Sequence, residues 1–190
     1  SYYARINYNK PINDTGTTFL TSGIAFSKNT YHNILNTFFL RNIDSNFIYN
    51  NLLSNDFYFH QSIFSSRIGL VLQLPSNMKL ITNFQGEFTY TDFLFEKGNT
   101  SNVNNGYWTF LPSITLRKEF NKALNMAWVF RESIRRPGMG ELNPSIDYSD
   151  PYNIRFGNPY LSASLTDNYD FNVNYVEKDF NVNASFGYNK

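Results

Sequence analysis

The sequence predicts an all-β protein, an antiparallel up-and-down transmembrane β-barrel with about ten strands in its 190 residues. Apolar and polar residues alternate with a period of two, the links between strands alternate between short and long, and no apolar run approaches the roughly 18 residues of a transmembrane helix. Because only helices and closed barrels satisfy the backbone inside lipid, a membrane protein with this sequence must be a barrel.

The alternation is clearest near the C-terminus, where two strands join at the short polar link 177–179. Such alternation predicts a hairpin with one apolar face, expected to point to lipid, and one polar face, expected to point into the barrel. The apolar set is Tyr169, Phe171, Val173, Tyr175, Phe180, Val182, Phe186 and Tyr188, and the polar set includes Asn172, Asn174, Asn181 and Asn183.

Two further hairpins and a less regular N-terminal third complete the predicted strands. One hairpin spans 62–95 and turns at 75–77, and the other spans 107–135 and turns at Asn121 and Lys122. Candidate strands lie near 1–9, 17–28, 31–41 and 46–53, and no segment has a convincing helical pattern.

The links between these strands fall into two classes. Those at 75–77, 120–123 and 177–179 are short, whereas 96–106 and 137–164 are long, polar and rich in Gly, Asn or Pro. Outer-membrane barrels have short turns on the periplasmic side and long loops on the outside. We therefore expect the short links at one end of the barrel and the long loops at the other.

The soluble alternative is a β-sandwich or a lipocalin-like barrel, whose apolar faces point inward. Here Phe, Tyr, Trp and Leu dominate the apolar faces; aromatic residues form 18% of the chain, and the mean hydropathy is −0.41. This balance of aromatic and polar residues favours a barrel with a lipid-facing outside and a wet interior. A formal net charge of +1 gives no argument for nucleic acid, and the lack of Cys excludes disulfides and thiolate metal sites.

One stretch resembles a known family. Its elements, in order, are Ile134-Arg135-Arg136-Pro137, Glu141-Leu142-Asn143-Pro144, Tyr148-Ser149-Asp150-Pro151-Tyr152-Asn153-Ile154, Gly157-Asn158-Pro159-Tyr160-Leu161 and Thr166-Asp167-Asn168-Tyr169. Together they resemble the C-terminal barrel region of TonB-dependent receptors, in the variety described as the outer-membrane protein beta-barrel family. The sequence departs from that pattern at Ser162-Ala163-Ser164, where the family usually has a Pro-Glu pair.

The resemblance implies an outer-membrane receptor for TonB-dependent uptake of a nutrient, such as a chelate, glycan or peptide, in a Gram-negative bacterium. Its partners would be outer-membrane lipid, the nutrient and the inner-membrane TonB complex, reached through a plug domain absent from these residues. Because such receptors have about 22 strands, residues 1–190 are expected to be a partial barrel in which 180–190 does not pair with 1–9. The alternative is a passive porin or a structural barrel without energy coupling.

The candidate ligand-binding residues lie in the long loop that the resemblance places outside the cell. They are Asp147, Tyr148, Asp150, Tyr152, Asn153 and Arg155. Aromatic, amide and charged side chains at a barrel mouth suit sugars, peptides or chelates, and the alternative is a self-packed loop held by its Asn-Pro and Asp-Pro turns.

The remaining polar clusters carry weaker signals. Arg131, Arg135 and Arg136 with Glu132 and Glu141 form the densest charge group, expected either to pair internally or to dock an anionic ligand or the plug. His32 and His60 lie in separate strand-like segments, and no motif joins them to a nucleophile or a metal site. We therefore expect no enzyme activity, no cofactor and no metal.

Overall fold

The computed structural model describes residues 1–13, 17–41, 46–51, 53–98, 100–147 and 152–190. Strands dominate these residues, and a single helical turn, Met139–Leu142, follows the eighth strand. The strands are β1 (Tyr2–Pro11), β2 (Phe19–Leu35), β3 (Phe38–Arg41), β4 (Asn46–Tyr49), β5 (Asn55–Leu74), β6 (Met78–Lys97), β7 (Val103–Glu119), β8 (Leu124–Arg135), β9 (Ser164–Glu177) and β10 (Phe180–Asn189).

The main sheet has eight antiparallel strands in the order β1-β2-β5-β6-β7-β8-β9-β10, and β3 and β4 form a separate two-stranded ribbon. The all-β, antiparallel prediction is confirmed. β1 and β10 are the two edge strands of the described sheet, so it is open, and 180–190 does not pair with 1–9, as expected. No helix among the described residues is long and apolar enough to cross a membrane.

The sheet has one apolar and one polar face, because directly opposed residues in an antiparallel ladder point to the same side. On the apolar face, Phe171 lies between Trp128 of β8 and Phe186 of β10. The apolar face is largely uncovered, and Trp108 and Phe186 are each 71% exposed. On the polar face Asn174 opposes Asn183. The predicted two-faced hairpin at the C-terminus is therefore confirmed.

The links also lie where their lengths predict. Since every pairing is antiparallel, the links 12–18, 75–77, 120–123 and 178–179 lie at one end of the sheet, here called the short-link end. The links 36–54, 98–102 and 136–163 lie at the other, the long-link end. The turn at 75–77 places Ser76 and Asn77 in the left-handed region, at φ 62° and 55°, which Asn tolerates better than most residues.

The strands run longer than the sequence predicts toward the long-link end. β2 joins the candidate strand at 17–28 to the first part of the one at 31–41 through Asn29 and Thr30, which pair with Gln61 and His60 of β5. The rest of the second candidate, Phe38–Arg41, is β3 of the separate ribbon. Polar side chains do not interrupt a ladder, because its hydrogen bonds are made by the backbone. For the same reason the expected loop 96–106 is reduced to 98–102. The expected strand 46–53, in contrast, is shorter than predicted and ends at Tyr49.

β5 and β6 each have 20 residues, about twice the 9–11 residues that a tilted strand needs to cross a bilayer. The described buried apolar residues, Phe57, Phe59, Phe93 and Leu142, lie at the long-link end of these two strands. Register places the three rings on the same side as Glu87 and Thr91, which is the polar face. The most buried part of the described fold therefore covers the polar face near the long links.

Candidate ligand-binding loop

The first part of the 136–163 loop folds back over the polar face instead of extending away from the sheet. The rings of Phe57 and Phe59 lie 5.6 and 4.6 Å from that of Phe93, and they form a platform at the end of β5 and β6. Leu142, from the helical turn, is buried in this cluster and Met139 packs against it. Full burial of a Leu side chain contributes about 1.5–3 kcal/mol, so the contact is a strong anchor for the loop.

An ion pair provides a second anchor. Arg136, at the start of the loop, pairs with Glu87 of β6, 49 residues away in sequence. The side chain of Glu87 is 8% exposed and that of Arg136 24%. Gln85 also donates to the Glu87 carboxylate, over 2.7 Å. The pair therefore reaches across β7 and joins the start of the loop to the polar face of β6.

A single carboxylate organises the helical turn. Glu141 accepts a hydrogen bond from the backbone N–H of Gly138 at 2.8 Å and from the guanidinium of Arg135 at 2.9 Å. The Gly138 hydrogen bond, followed by the contact with Arg135, lowers the pKa of the Glu141 carboxyl. Because this carboxylate is exposed, it shapes the local turn rather than the packing of the loop.

The second half of the loop runs beside the first. Gly157 N–H donates to the carbonyl of Asn143 at 2.7 Å, and Asn158 N–H donates to the carbonyl of Glu141 at 2.9 Å. Further out, Asp147 and Arg155 exchange backbone hydrogen bonds of 2.8 and 3.3 Å. The loop therefore has a hydrogen-bonded base, with its tip between Asp147 and Arg155.

Four of the six predicted ligand-binding residues are described by the structure, and they lie where the loop base ends. Asp147 and Arg155 are brought together by their backbone bridge, whereas Tyr152 is fully exposed and Asn153 is also exposed. Tyr148 and Asp150 lie outside the described residues. Ligand binding by these six residues stays a prediction, and the described residues add that Tyr152 and Asn153 are exposed beyond a hydrogen-bonded base.

The charge group found in the sequence is divided by the strand geometry. Arg135 pairs with Glu141, whereas Glu132 points to the apolar face and opposes Asp167 of β9. Arg136 pairs with Glu87, a residue that the sequence grouping missed. The available signal was a single carboxylate within a row of amides and threonines on β6.

The two histidines make separate contacts near the long-link end. His32 Nε2 lies 2.6 Å from Asp56 Oδ1, and His60 Nδ1 lies 3.0 Å from the hydroxyl of Thr30. His32 also stacks on Tyr58, with ring centroids 4.2 Å apart. These contacts join neighbouring strands, and the expectation of no enzyme activity stays a prediction.

Replacing Gly157 by Ala is expected to loosen the base of the loop. A Cβ there would lie 2.5 Å from the carbonyl oxygen of Glu141 and 2.7 Å from the amide nitrogen of Asn143, both backbone atoms that cannot easily move. Overpacking of this kind costs about 1–3 kcal/mol. Faster proteolysis of the loop in the folded protein would report the change.

Gly140 is the matched control, because a Cβ at that position meets nothing within 4 Å. Gly140→Ala is expected to leave the cleavage rate unchanged. Equal rates for Gly157→Ala and Gly140→Ala would contradict the packing of Gly157 against the helical turn.

Comparison with known proteins agrees with this architecture. The sequence profile of the family described as "Outer membrane protein beta-barrel family" matches residues 1–190. No curated protein matches the chain. The family match covers every strand of the main sheet and the whole 136–163 loop.

Proposed function

Because the chain belongs to the outer membrane protein beta-barrel family and so lies in the outer membrane of a Gram-negative bacterium, we propose that it forms part of the barrel of a TonB-dependent nutrient receptor. The apolar face then contacts lipid, the polar face is the inner wall, and the long-link end faces outward. The observation that carries this proposal is the 136–163 loop, which is anchored on the inner wall by Leu142 and by the Arg136–Glu87 pair.

A loop anchored in this way is better suited to binding a ligand than to leaving an open path for solutes. Its base is fixed to the wall, and Asp147 and Arg155 are bridged where the two sides of the loop leave that base. The tip carries an exposed Tyr152 and the bridged Asp147 and Arg155, side chains that bind sugars, peptides or chelates through stacking, hydrogen bonds and charge. Coupling to the TonB complex through a plug domain is supported by the sequence resemblance of residues 128–175.

A passive channel is the second candidate, and the character of the inner wall favours it. Four small residues, Gly23, Ala25, Ser65 and Gly69, lie around Arg67 on the polar face of β2 and β5. Wide polar barrels with such walls leave a water-filled path for small solutes. The two candidates differ in energy coupling, which can be measured.

The test uses the full-length protein in two assays. In planar bilayers, a plugged receptor gives no steady conductance, whereas a passive channel does. In cells, growth on one limiting nutrient at a time (an iron chelate, a polysaccharide or a peptide) is expected to depend on both this protein and an intact TonB complex. Steady conductance, together with growth that is unchanged by loss of the TonB complex, would contradict the receptor proposal and support the passive channel.

Site-directed labelling tests the orientation of the barrel. The chain has no cysteine, so Ser101→Cys in the 98–102 link and Lys178→Cys in the 178–179 turn each add a single reactive thiol to it. In intact cells, a membrane-impermeant maleimide is expected to label Ser101→Cys and to reach Lys178→Cys only after the outer membrane is permeabilised. The reverse pattern would invert the barrel and place the 136–163 loop on the periplasmic side.

A further inference from the structure

A polar recess of about 280 Å³ opens on the inner wall over β1, β2 and β5. Its floor is formed by small side chains, including Ala25, Ser27 and Ser65, which lie in neighbouring positions of the ladder. Its rim carries Arg5 on one side and Arg136, beside Glu87, on the other. The recess is therefore positively charged on the side of Arg5, whereas on the other side the charge of Arg136 is balanced by Glu87.

Two guanidinium groups are held together beside this recess. Arg5 Nε donates to Asn7 Oδ1 at 3.2 Å, and Arg67 Nη2 donates to the same oxygen at 3.3 Å. Among the described residues no carboxylate pairs with Arg5 or Arg67, whereas Glu87 is engaged by Arg136. A neutral amide oxygen orients both groups but leaves their charge uncompensated.

Gly23 makes this arrangement possible. Asn7, Gly23 and Arg67 lie opposite one another on three adjacent strands. A Cβ at position 23 would lie 2.8 Å from Asn7 Oδ1, so the missing side chain leaves the space through which Asn7 reaches over β2 to Arg67. A glycine inside a strand often marks such a close approach.

The wider inner wall has the same charge preference. Where the strands of the described main sheet pair in regular register, the polar face carries more positive than negative side chains. The positive side chains are Arg5, Arg67, Lys79, Arg117, Arg131 and Arg135, and the negative ones are Glu87, Glu119 and Asp170. A lumen lined in this way attracts anions before any specific contact is made.

We propose that Arg5 and Arg67, oriented by Asn7, form a binding site for a carboxylate or phosphate group on the inner wall. Guanidinium groups recognise both anions through paired, charge-assisted hydrogen bonds. The proposal deepens the transport function and rests on it, because it assigns the transported solute to the anionic class. The same chemistry is offered by an acidic side chain of a segment folded inside the barrel, so the test separates these two sources.

The test measures citrate and inorganic phosphate binding to the purified full-length protein by calorimetry, next to its thermal unfolding. The variants are Arg5→Gln, Arg67→Gln, their double variant and Gly23→Ala. Lys28→Gln is the matched control, because it removes one positive charge from the apolar face of β2. Arg67→Lys keeps the positive charge but loses the paired N–H donors of the guanidinium group. Circular dichroism verifies that each variant forms a folded barrel.

If the solute supplies the anion, citrate or phosphate binds, and each Arg→Gln variant weakens binding about tenfold or more. Gly23→Ala is then expected to weaken it as well, Arg67→Lys to weaken it less than Arg67→Gln, and Lys28→Gln to leave it unchanged. If an internal carboxylate occupies the site, free anions do not bind, but the double variant lowers the unfolding temperature more than Lys28→Gln does.

Neither anion binding nor a specific loss of stability would overturn the proposed site. Binding by the purified protein does not require the TonB complex. The two proposals are therefore tested separately. Anion binding can be observed in a protein that does not depend on TonB, and it can be absent from one whose growth phenotype does.

Discussion

Val173→Lys is expected to lower the free energy of unfolding of the barrel by about 2–4 kcal/mol, the cost of a lysine on the lipid face near the bilayer midplane. Val173 lies in the second half of β9 on the apolar face, opposite Met126 of β8 and Ala184 of β10. An ammonium group in this position loses its hydration and finds no anionic partner among these neighbours. The cost is largest where the hydrocarbon layer is thickest and falls toward the interfaces.

Chemical unfolding of the full-length protein in lipid vesicles, followed by tryptophan fluorescence, measures this cost. Asn172→Lys is the matched control, because it adds the same charge to the preceding residue, which lies on the polar face. The control is expected to change stability by less than about 0.5 kcal/mol, as for an ordinary exposed substitution. Similar losses for both variants would show that the two faces do not meet different solvents.

Glu87→Gln is expected to destabilise the docked position of the 136–163 loop by about 3 kcal/mol. Removing one partner of a buried ion pair costs about 3–5 kcal/mol, since the other charge stays out of water without compensation. We take the lower value because the Arg136 side chain is 24% exposed to solvent. Glutamine preserves the size of the side chain, so the loss reports charge and not packing.

Hydrogen exchange of the backbone amides of Asn143 and Gly157 measures whether the loop stays docked, since both are hydrogen-bonded inside the loop. Glu141→Gln is the control, because it removes an ion pair whose partners, Arg135 and Glu141, are 74% and 46% exposed. Water and salt screen such pairs, so the control is expected to retain most of the protection. Equal protection in both variants would mean that Leu142 and its aromatic platform hold the loop without Glu87.

The sequence predicts the strands well where their pattern is local. The β9–β10 hairpin follows residue by residue from its alternation, and the short link at 177–179 fixes its register. In β2 the polar pair Asn29 and Thr30 has the composition of a turn, yet both residues are paired with β5. Only the partner strand decides between a turn and a continued ladder at such a place.

The sites depend on contacts that are distant in sequence. Leu142 meets Phe57 and Phe93 only after four strands have been aligned, and Arg136 finds Glu87 across β7 in the same way. The Asn7 contact with Arg67 likewise needs the register of three strands. The turn residues predict a long loop with candidate ligand residues, but they do not show that the loop packs on the polar face of β5 and β6.

The 136–163 loop also imposes an order on the assembly of this segment. Apart from the β2–β5 pairing, each pairing in the main sheet joins strands that follow one another in the chain, so hairpins form by closing short distances. The loop leaves from β8 but is anchored on β5 and β6, and therefore reaches its place only after β7 and β8 have been added. We therefore expect the platform of Phe57, Phe59 and Phe93 to stay uncovered until β7 and β8 are in place, and docking of Leu142 to complete this part of the fold.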